Sequence, residues 1–384
     1  MRIAYVLLDP GIGIFGTKGA SVHAQEVIRS FRALGHEVTV FSTRTDDAVP
    51  ADLADLDVVR LELPAGLERG SREIALLRVS DLLADLVAGE HTGIDVVYER
   101  YSLFSTAGAR ISEHLGVPLL LEVNAPLIDE QRTHRGLVHD DHAVRATAVS
   151  FGQAARLVCV SEAVAEWVHR DYPGLDDVAV VPNGVNTDRI VPGTRGPGDQ
   201  APDAPVHIGF VGTLKPWHGT DRLLRAAAGL RGAFHLDIVG HGPEAESLAR
   251  LTDDLDLGER VTFHGAVAPA DVPAHLRGFD IASAPYPGGP NYFSPLKVYE
   301  YMAAGLPTVA SAVGSLPDLI AGTGTGILVP PDDLAALTEA LQSLIDDPAL
   351  RTRMGEAARA EALARHSWTS RCRDILDPVL LETA

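Results

Sequence analysis

The residue types best suited to chemistry are concentrated in NYFSPLKVYEYMAAGLPTVASAVG, at positions 291–314. Ser294 and Lys297 stand at the start of a short helical run, and Glu300 follows one turn later. The free N–H groups of Leu296 and Lys297 at such a helix start attract phosphate. A carboxylate at position 300 can accept both hydroxyls of a ribose. The stretch predicts a sugar-nucleotide site, the alternative being an amphipathic surface helix.

A second candidate loop, GTLKPWHG at 212–219, follows an apolar strand. A diphosphate leaving group gains negative charge as its glycosidic bond breaks, so a cation is needed beside it. Lys215 supplies the firm positive charge here and is predicted to be catalytic. Gly212, Thr213 and His218 are predicted to bind the donor, with His218 supporting Lys215. The alternative is an exposed loop lysine with no role.

A third candidate, GIGIFGTKGAS, places glycines between the first strand and a helix. Its spacing formally satisfies a dinucleotide pattern. The helix, however, begins only at about Ser21, and no acidic residue closes the next strand at 38–43. We expect Gly19 instead to let the backbone approach a donor phosphate or the acceptor. The alternative is a mobile loop without a ligand.

The remaining clusters of polar residues do not predict a metal site. No cofactor is expected, because the nucleotide sugar is a co-substrate. His134, His139 and His142 are clustered, but their spacing matches no standard zinc pattern. No G-x-S-x-G motif supports a hydrolase nucleophile. The two cysteines, Cys159 and Cys372, are predicted to be free thiols.

The amino-acid composition indicates which classes of partner the protein can bind. The chain has 384 residues, 46% of them hydrophobic, and a net charge of −20. This acidity argues against nucleic acid and against stable association with an anionic membrane. Apolar runs are of strand length, and no signal peptide is evident, so a cytoplasmic protein is expected. The expected partners are a nucleotide sugar and a small soluble acceptor.

Short apolar strands alternate with helical patterns throughout, which predicts βαβ units and parallel sheets. The segment 190–205 is rich in Pro, Gly and Asp and is the best candidate linker. It separates two predicted Rossmann-like domains, at 1–190 and 206–366, with a cleft between them. A final helix at 367–384 is expected to cross back onto the first domain.

An ordered series of segments resembles the family-4 retaining glycosyltransferases of the GT-B fold. These segments are RIAYVLLDPGIGIFGTKGASVHAQEV, LVCVSEAVAEWV, VAVVPNGVNTDRI, IGFVGTLKPWHGTDRLLRA, LDIVGHGPE, RVTFHGAV, the stretch from Asn291 to Gly314, GILVPPDDLAALTEAL and a late HSW. The resemblance spans nearly the whole chain. It implies an α/β, GT-B architecture in which two Rossmann-like domains with parallel sheets face each other across a cleft. Gly240, within LDIVGHGPE, is included among the donor-binding residues.

Three positions depart from the family pattern. Thr213 and His218 stand where many members place the arginine and lysine that bind the pyrophosphate. Tyr292 stands where the first of two paired glutamates is expected, the second being Glu300. Asn124 stands where a histidine often faces the donor sugar. An amide cannot act as a base but can hold a sugar hydroxyl, so Asn124 is retained as a catalytic candidate.

Transfer of a sugar with retention of configuration is the implied activity, by front-face attack and without a metal. Asp129 and Glu130 are plausible acceptor contacts. Together with Asp140 and Asp141 they favour a soluble, amino-bearing acceptor over a phosphorylated one. The alternatives are a nucleotide-sugar epimerase, a lipid-directed or polysaccharide-directed transferase, and a catalytically silent sugar-nucleotide-binding protein.

Overall fold

A computed structural model describes residues 1–46, 48–91, 93–194, 204–289 and 291–382. The described residues form two compact units. Unit 1 contains Met1–Asn183, the short segment Tyr292–Ser294 and the C-terminal residues from Trp368 onward. Unit 2 contains the described parts of Gly184–Asn291 and Pro295–Ser367. The domain limits at 190 and 206 stay predictions, and residues 195–203 of the expected linker lie outside the described part of the chain.

Unit 1 is built on a seven-stranded parallel sheet with the order β3-β2-β1-β4-β5-β6-β7. Its strands are β1 (Arg2–Leu7), β2 (Glu37–Ser42), β3 (Asp57–Arg60), β4 (Val96–Arg100), β5 (Leu119–Val123), β6 (Arg156–Cys159) and β7 (Val178–Val180). Its first six helices are α1 (Gly19–Ala33), α2 (Arg69–Glu90), α3 (Ala107–Leu115), α4 (Leu127–Glu130), α5 (Asp140–Gln153) and α6 (Glu162–Asp171). β1, β4 and β5 are apolar along most of their length because helices cover both faces of such a sheet.

Unit 2 has a six-stranded parallel sheet with the order β10-β9-β8-β11-β12-β13. Its strands are β8 (Val206–Val211), β9 (Phe234–Val239), β10 (Val261–Gly265), β11 (Ile281–Ala284), β12 (Thr308–Ser311) and β13 (Gly326–Val329). Its helices are α7 (Thr220–Ala227), α8 (Ala245–Asp254), α9 (Val272–Leu276), α10 (Leu296–Ala303), α11 (Leu316–Ile320), α12 (Leu334–Asp346) and α13 (Pro348–Arg365). The predicted α/β class with parallel sheets is confirmed in both units.

The last helix, α14 (Trp368–Glu382), belongs to unit 1 and packs on α1. The ring of His23 meets Trp368 edge-on, with 4.8 Å between the ring centroids. Cys372 is buried beside the backbone of Val27, and Cys159 is also buried and free, as predicted. No helix within the described ranges is long and apolar enough to cross a membrane.

Strand order indicates where each unit can bind a ligand. In unit 2, β8 lies between β9 and β11, so the order in which strands are added reverses at β8. In unit 1 the same reversal occurs at β1, between β2 and β4. Ligands of open parallel sheets bind outside the carboxyl ends of the strands at such switch points. The glycine-rich loop follows β1, and the loop at 212–219 follows β8.

Candidate functional site

The loops at the carboxyl edge of the unit 2 sheet are packed so closely that they require glycine. Gly212 and Gly240 both have positive φ angles, 154° and 135°. A side-chain carbon on Gly240 would overlap the backbone carbonyl of Gly212. One on Gly242 would likewise overlap the backbone of Leu214. Only glycine fits at positions 240 and 242 without steric overlap. The close packing at these two glycines holds the loop after β8 in place.

Lys297 lies beside this loop, in the first turn of α10. Its Nζ atom is 4.2 Å from the centroid of the Phe210 ring and 5.1 Å from that of Tyr286. The ammonium group is shielded from solvent although the side chain as a whole is only half-buried. Among the described residues it has no hydrogen-bond acceptor. Burial lowers its pKa to about 7, opposed only by the charge of Glu300.

The start of α10 contributes backbone donors to the same place. Pro295 precedes the helix and provides no side-chain cap, and the first turn carries no acidic residue. The first N–H groups of a helix, here those of Leu296 and Lys297, have no acceptor within the helix. Glu300 is half-buried one turn after Lys297. The structure thus brings Lys297, Glu300 and Leu296 together on one short helix.

Lys215 precedes a single 3₁₀ turn, Pro216–His218, and His218 is the last residue of that turn. Lys215 is half-buried, and its Nζ lies 4.7 Å from the centroid of the exposed Trp217 ring. His218 Nδ1 donates a hydrogen bond to the carbonyl oxygen of Thr213. Burial, together with the charges of Lys297 and Lys215, lowers the pKa of His218 to about 4. The imidazole is therefore neutral at pH 7, which leaves Lys215 and Lys297 as the basic groups of this loop region.

In unit 1, the glycine-rich loop leads into α1 at Gly19, slightly before the predicted start at Ser21. A side-chain carbon on Gly19 would meet no described atom within 4 Å, so its backbone is open to an approaching group. Within the loop, Gly13 packs against the carboxylate of Asp46. The loop is held by Gln25, whose Nε2 donates to the carbonyls of Ile14 and Gly16.

Asn124 follows β5 and belongs to a buried polar group. Its Nδ2 donates to Glu122 Oε2 over 2.8 Å. His23 Nε2 donates to Glu122 Oε1 over 2.7 Å, and Arg100 Nη1 donates to Oε2 over 3.0 Å. Burial would raise the pKa of Glu122, but His23 and the Arg100 guanidinium hold it well below its usual range. Burial also lowers the pKa of His23, so the pair is a carboxylate and a neutral imidazole.

The predicted acceptor residues lie in and beside α4. Asp129 is 3.5 Å from Arg132, which also makes two short hydrogen bonds, of 2.6 and 2.7 Å, to Asp140. Glu130 accepts a hydrogen bond from the phenol of Tyr292, whose pKa burial raises. The acidic cluster is therefore partly neutralised by Arg132, which lies in the π-helical turn Gln131–Arg135.

Ser294, whose role in donor binding stays a prediction, makes hydrogen bonds within unit 1. It belongs to the segment Tyr292–Ser294 of unit 1, where its Oγ accepts from the backbone N–H of Asn183 over 2.9 Å. The Tyr292 carbonyl accepts from Ser161 Oγ over 2.6 Å. The hydroxyl of Ser294 is thus engaged within unit 1, although a serine hydroxyl can still donate its own proton.

Sequence reasoning missed Glu122, Arg100 and His23. For Glu122 and Arg100 the available signal was charge within two largely apolar strands, since LLLEV carries one charged residue and VVYER carries two. Fully buried charges are rare unless they are paired, so two such residues in neighbouring strands predict a mutual contact. In the described ranges, no group of three His, Cys, Asp or Glu side chains is placed to hold a metal ion. The absence of a metal from the reaction stays a prediction.

Two parallel α/β sheets, in two units of one chain, are the architecture of the GT-B glycosyltransferases. The chain belongs to the family-4 glycosyltransferases. Residues 17–189 match the model described as Glycosyltransferase Family 4, and residues 205–347 match that described as Glycosyl transferases group 1.

The chain is also similar in sequence to proteins that are named as glycosyltransferases. D-inositol 3-phosphate glycosyltransferase 2 of Catenulispora acidiphila is 31% identical, over 95% of this chain and 90% of the relative. D-inositol 3-phosphate glycosyltransferase of Kineococcus radiotolerans is 30% identical, over 93% of this chain and 88% of the relative.

Solved structures share the fold at lower identity. Sucrose-phosphate synthase from Thermosynechococcus elongatus matches with a TM-score of 0.74 and 21% identity, over the whole of both chains. HepE of Anabaena in complex with UDP matches with a TM-score of 0.73 and 18% identity, also over the whole of both chains. At these identities the likeness shows the fold alone.

Proposed function

We propose that this glycosyltransferase moves a sugar from a nucleotide-diphosphate donor to a hydroxyl of a small soluble acceptor, with retention of configuration. Unit 2 would bind the donor and unit 1 the acceptor. The reaction would take place in the cytoplasm. Lys215 and Asn124 would act on the reacting groups, Asp129 and Glu130 would contact the acceptor, and the remaining candidates would bind the donor.

The buried ammonium of Lys297 is the observation that carries the proposal. An ionised group without a partner is costly in a protein interior, and such a group becomes neutral unless an opposite charge is supplied. Within the described residues no acceptor reaches Nζ. A diphosphate bound at the start of α10 would supply the missing charge, and the helix N–H groups would bind the same anion.

Two features of the loop after β8 support a diphosphate as leaving group. Lys215 lies on the same loop and can offer its ammonium group to the developing charge on the phosphate oxygens. Neutral His218 presents Nε2 as an acceptor because its Nδ1 proton is bonded to Thr213. It could therefore bind a hydroxyl of the donor without adding charge.

Front-face retention requires little acid–base machinery from the protein. The departing phosphate oxygen would take the proton of the attacking hydroxyl, and the enzyme would mainly orient both substrates. Asn124 is consistent with this mechanism because its amide can hold a substrate hydroxyl but cannot remove the proton of that hydroxyl. Glu300, one turn into α10, would accept the ribose hydroxyls of the nucleotide.

The acceptor class is proposed as a small polyol, with or without amino groups. The Arg132 ion pairs weaken the case for a strongly cationic acceptor, because two of the four acidic residues already have a positive partner. A phosphorylated acceptor is the second candidate, favoured by the names of the relatives, which specify D-inositol 3-phosphate.

The test is to incubate the protein with UDP-glucose, UDP-N-acetylglucosamine, GDP-mannose and ADP-glucose and to measure donor hydrolysis. Acceptors are then added: an aminocyclitol, myo-inositol and D-inositol 3-phosphate, each with and without added salt. Transfer to a hydroxyl supports the proposal. Binding without any turnover would support the silent binding protein, and conversion of the donor to its epimer would support the isomerase.

A further inference from the structure

The orientation of the Asn124 amide is determined by its neighbour. The carboxylate of Glu122 is ionised and can only accept hydrogen bonds. The atom of Asn124 that lies 2.8 Å from Glu122 Oε2 must therefore be the NH₂ group. The opposite arrangement would place two acceptor oxygens in contact. The carbonyl oxygen, Oδ1, is consequently the atom left for a ligand on this half-buried side chain.

Glu122 is itself held in one place. Arg100 from β4 and His23 from α1 donate to its two oxygens, and both are buried. Other titratable groups facing it are Tyr98 of β4, Tyr5 of β1 and Cys372 of α14, and burial raises the pKa of each, so all three are neutral. Arg100 is thus the full positive charge that balances the carboxylate.

We propose that Glu122, fixed by Arg100 and His23, is a positioning residue that turns Asn124 Oδ1 toward the substrate, so that this position takes a hydroxyl or ammonium group and rejects a carboxylate or phosphate. The substrate side of this inference rests on the proposed function. A hydroxyl donates to Oδ1, whereas a carboxylate or phosphate oxygen would bring a second acceptor against it, close to the negative charge of Glu122.

Asn124→Asp gives the sharpest test because aspartate has the same shape as asparagine. In its protonated form, the new carboxyl group can donate its O–H to Glu122 and leave a carbonyl oxygen toward the substrate, as the amide does. In its ionised form, the new group is repelled by Glu122. Two carboxylates that share a site have one strongly raised pKa, so the protonated form should persist to unusually high pH.

Rates of donor hydrolysis are compared for wild type, Asn124→Asp, Asn124→Ala and the control Asn186→Asp between about pH 6 and about pH 8.5. Asn186 is a suitable control because its Oδ1 accepts from the backbone N–H groups of Asp188 and Arg189, as an aspartate oxygen also can. The Asn124→Asp rate, relative to wild type, should fall roughly tenfold as pH rises. Asn124→Ala should be roughly tenfold slower at every pH. Asn186→Asp should match wild type. A flat ratio for Asn124→Asp, or full activity of Asn124→Ala, would overturn the proposal.

Thermal melting of the same proteins separates this inference from the proposed function. A carboxyl whose pKa is raised on folding loses its stabilising effect as pH rises through that pKa. The melting temperature of Asn124→Asp should therefore drop, relative to wild type, across the same pH range, while Asn186→Asp stays level. This holds whether or not any donor is hydrolysed. A level melting difference for Asn124→Asp would overturn the assigned amide orientation even in an active enzyme.

Discussion

The carboxyl edges of the two sheets differ in how their charges are compensated. At the unit 1 edge, the buried Glu122 carboxylate is matched by Arg100, and Arg132 is matched by Asp140. At the unit 2 edge, the ammonium of Lys297 is buried, and none of the described residues accepts a hydrogen bond from it. The Glu122 carboxylate of unit 1 therefore has a cation of the protein as its hydrogen-bond partner, whereas the Lys297 ammonium of unit 2 has no hydrogen-bond acceptor among the described residues.

This difference indicates what each edge binds. An uncompensated buried cation destabilises the fold unless a ligand supplies the opposite charge. Unit 2 is therefore suited to an anion such as a diphosphate. Unit 1, where Glu122, Asp129 and Asp140 already have cationic partners, is suited to neutral polar groups such as sugar hydroxyls.

Among the variants that test the difference between the two edges, Lys215→Ala should have the largest effect. It should lower turnover roughly a hundredfold, as expected for the loss of one group that stabilises the negative charge on the departing diphosphate. Stability should change little, because the proposed partner of Lys215 is the leaving group and its described contact is with the exposed Trp217 ring. The control is Arg250→Ala, on the exposed face of α8. Turnover within a few-fold of wild type would move the role to Lys297.

Glu300→Gln should weaken nucleotide binding by about 1.5 to 3 kcal/mol, because a neutral amide accepts ribose hydroxyls less well than a carboxylate. Calorimetric titration with UDP measures the change. A buried carboxylate of unit 1 serves as a control: Glu99 accepts from Ser105 and Gly108, and Glu99→Gln should leave UDP affinity unchanged. Equal affinity in wild type and Glu300→Gln would remove Glu300 from the site.

Lys297→Met should have opposite effects on binding and on stability. UDP affinity should fall roughly tenfold, because one charge-assisted hydrogen bond is lost. The melting temperature of the free protein should rise, since an unpaired buried ammonium is replaced by an apolar chain of similar length. Lys297→Arg should keep part of the affinity. A lower melting temperature in Lys297→Met would show that the ammonium already has a partner within the protein.

The pKa of Lys297, lowered to about 7, predicts proton uptake on binding. Above that pH the free amine is mostly neutral, and a bound diphosphate would restore its charge. Affinity for UDP-glucose should therefore fall several-fold as pH rises from about 6 to about 9. Calorimetry in two buffers of different ionisation enthalpy detects the uptake, which should be absent in Lys297→Met. Binding independent of pH would contradict the lowered pKa.

Stability of the free protein should change in the same range of pH. The unfolded lysine is protonated below its ordinary pKa of 10.5, while the folded one stays neutral until about 7. The unfolded state thus gains protons first, and stability falls as pH drops between those two values. The melting curve of Lys297→Met should lack this component.

Much of the fold follows from sequence patterns that are local. Alternating apolar runs predicted the parallel sheets, and the short helical run predicted to start near Lys297 corresponds to α10. The buried contacts were not predictable in this way. His23 and Glu122 are 99 residues apart in sequence, and their contact depends on how α1 packs on the sheet.

The segment Tyr292–Ser294 illustrates the same limit. Its sequence favoured a role beside Lys297, and motif spacing could not show that Ser161 and Asn183 bind it within unit 1. Likewise, the acidic residues near position 130 were visible in the sequence, but the two short hydrogen bonds from Arg132 to Asp140 depend on the π-helical turn that carries Arg132. Pairing of charges is a property of the folded chain.

Unit 2 is proposed to bind a nucleoside diphosphate through the charge of Lys297. The most direct measurement is calorimetric titration of wild type and Lys297→Met with the nucleosides, monophosphates and diphosphates of uracil, guanine and adenine. For one base, the diphosphate should bind wild type at least roughly tenfold more tightly than the monophosphate, and this preference should largely disappear in Lys297→Met. A diphosphate preference that survives intact in Lys297→Met, or no binding of any nucleotide, would contradict the claim.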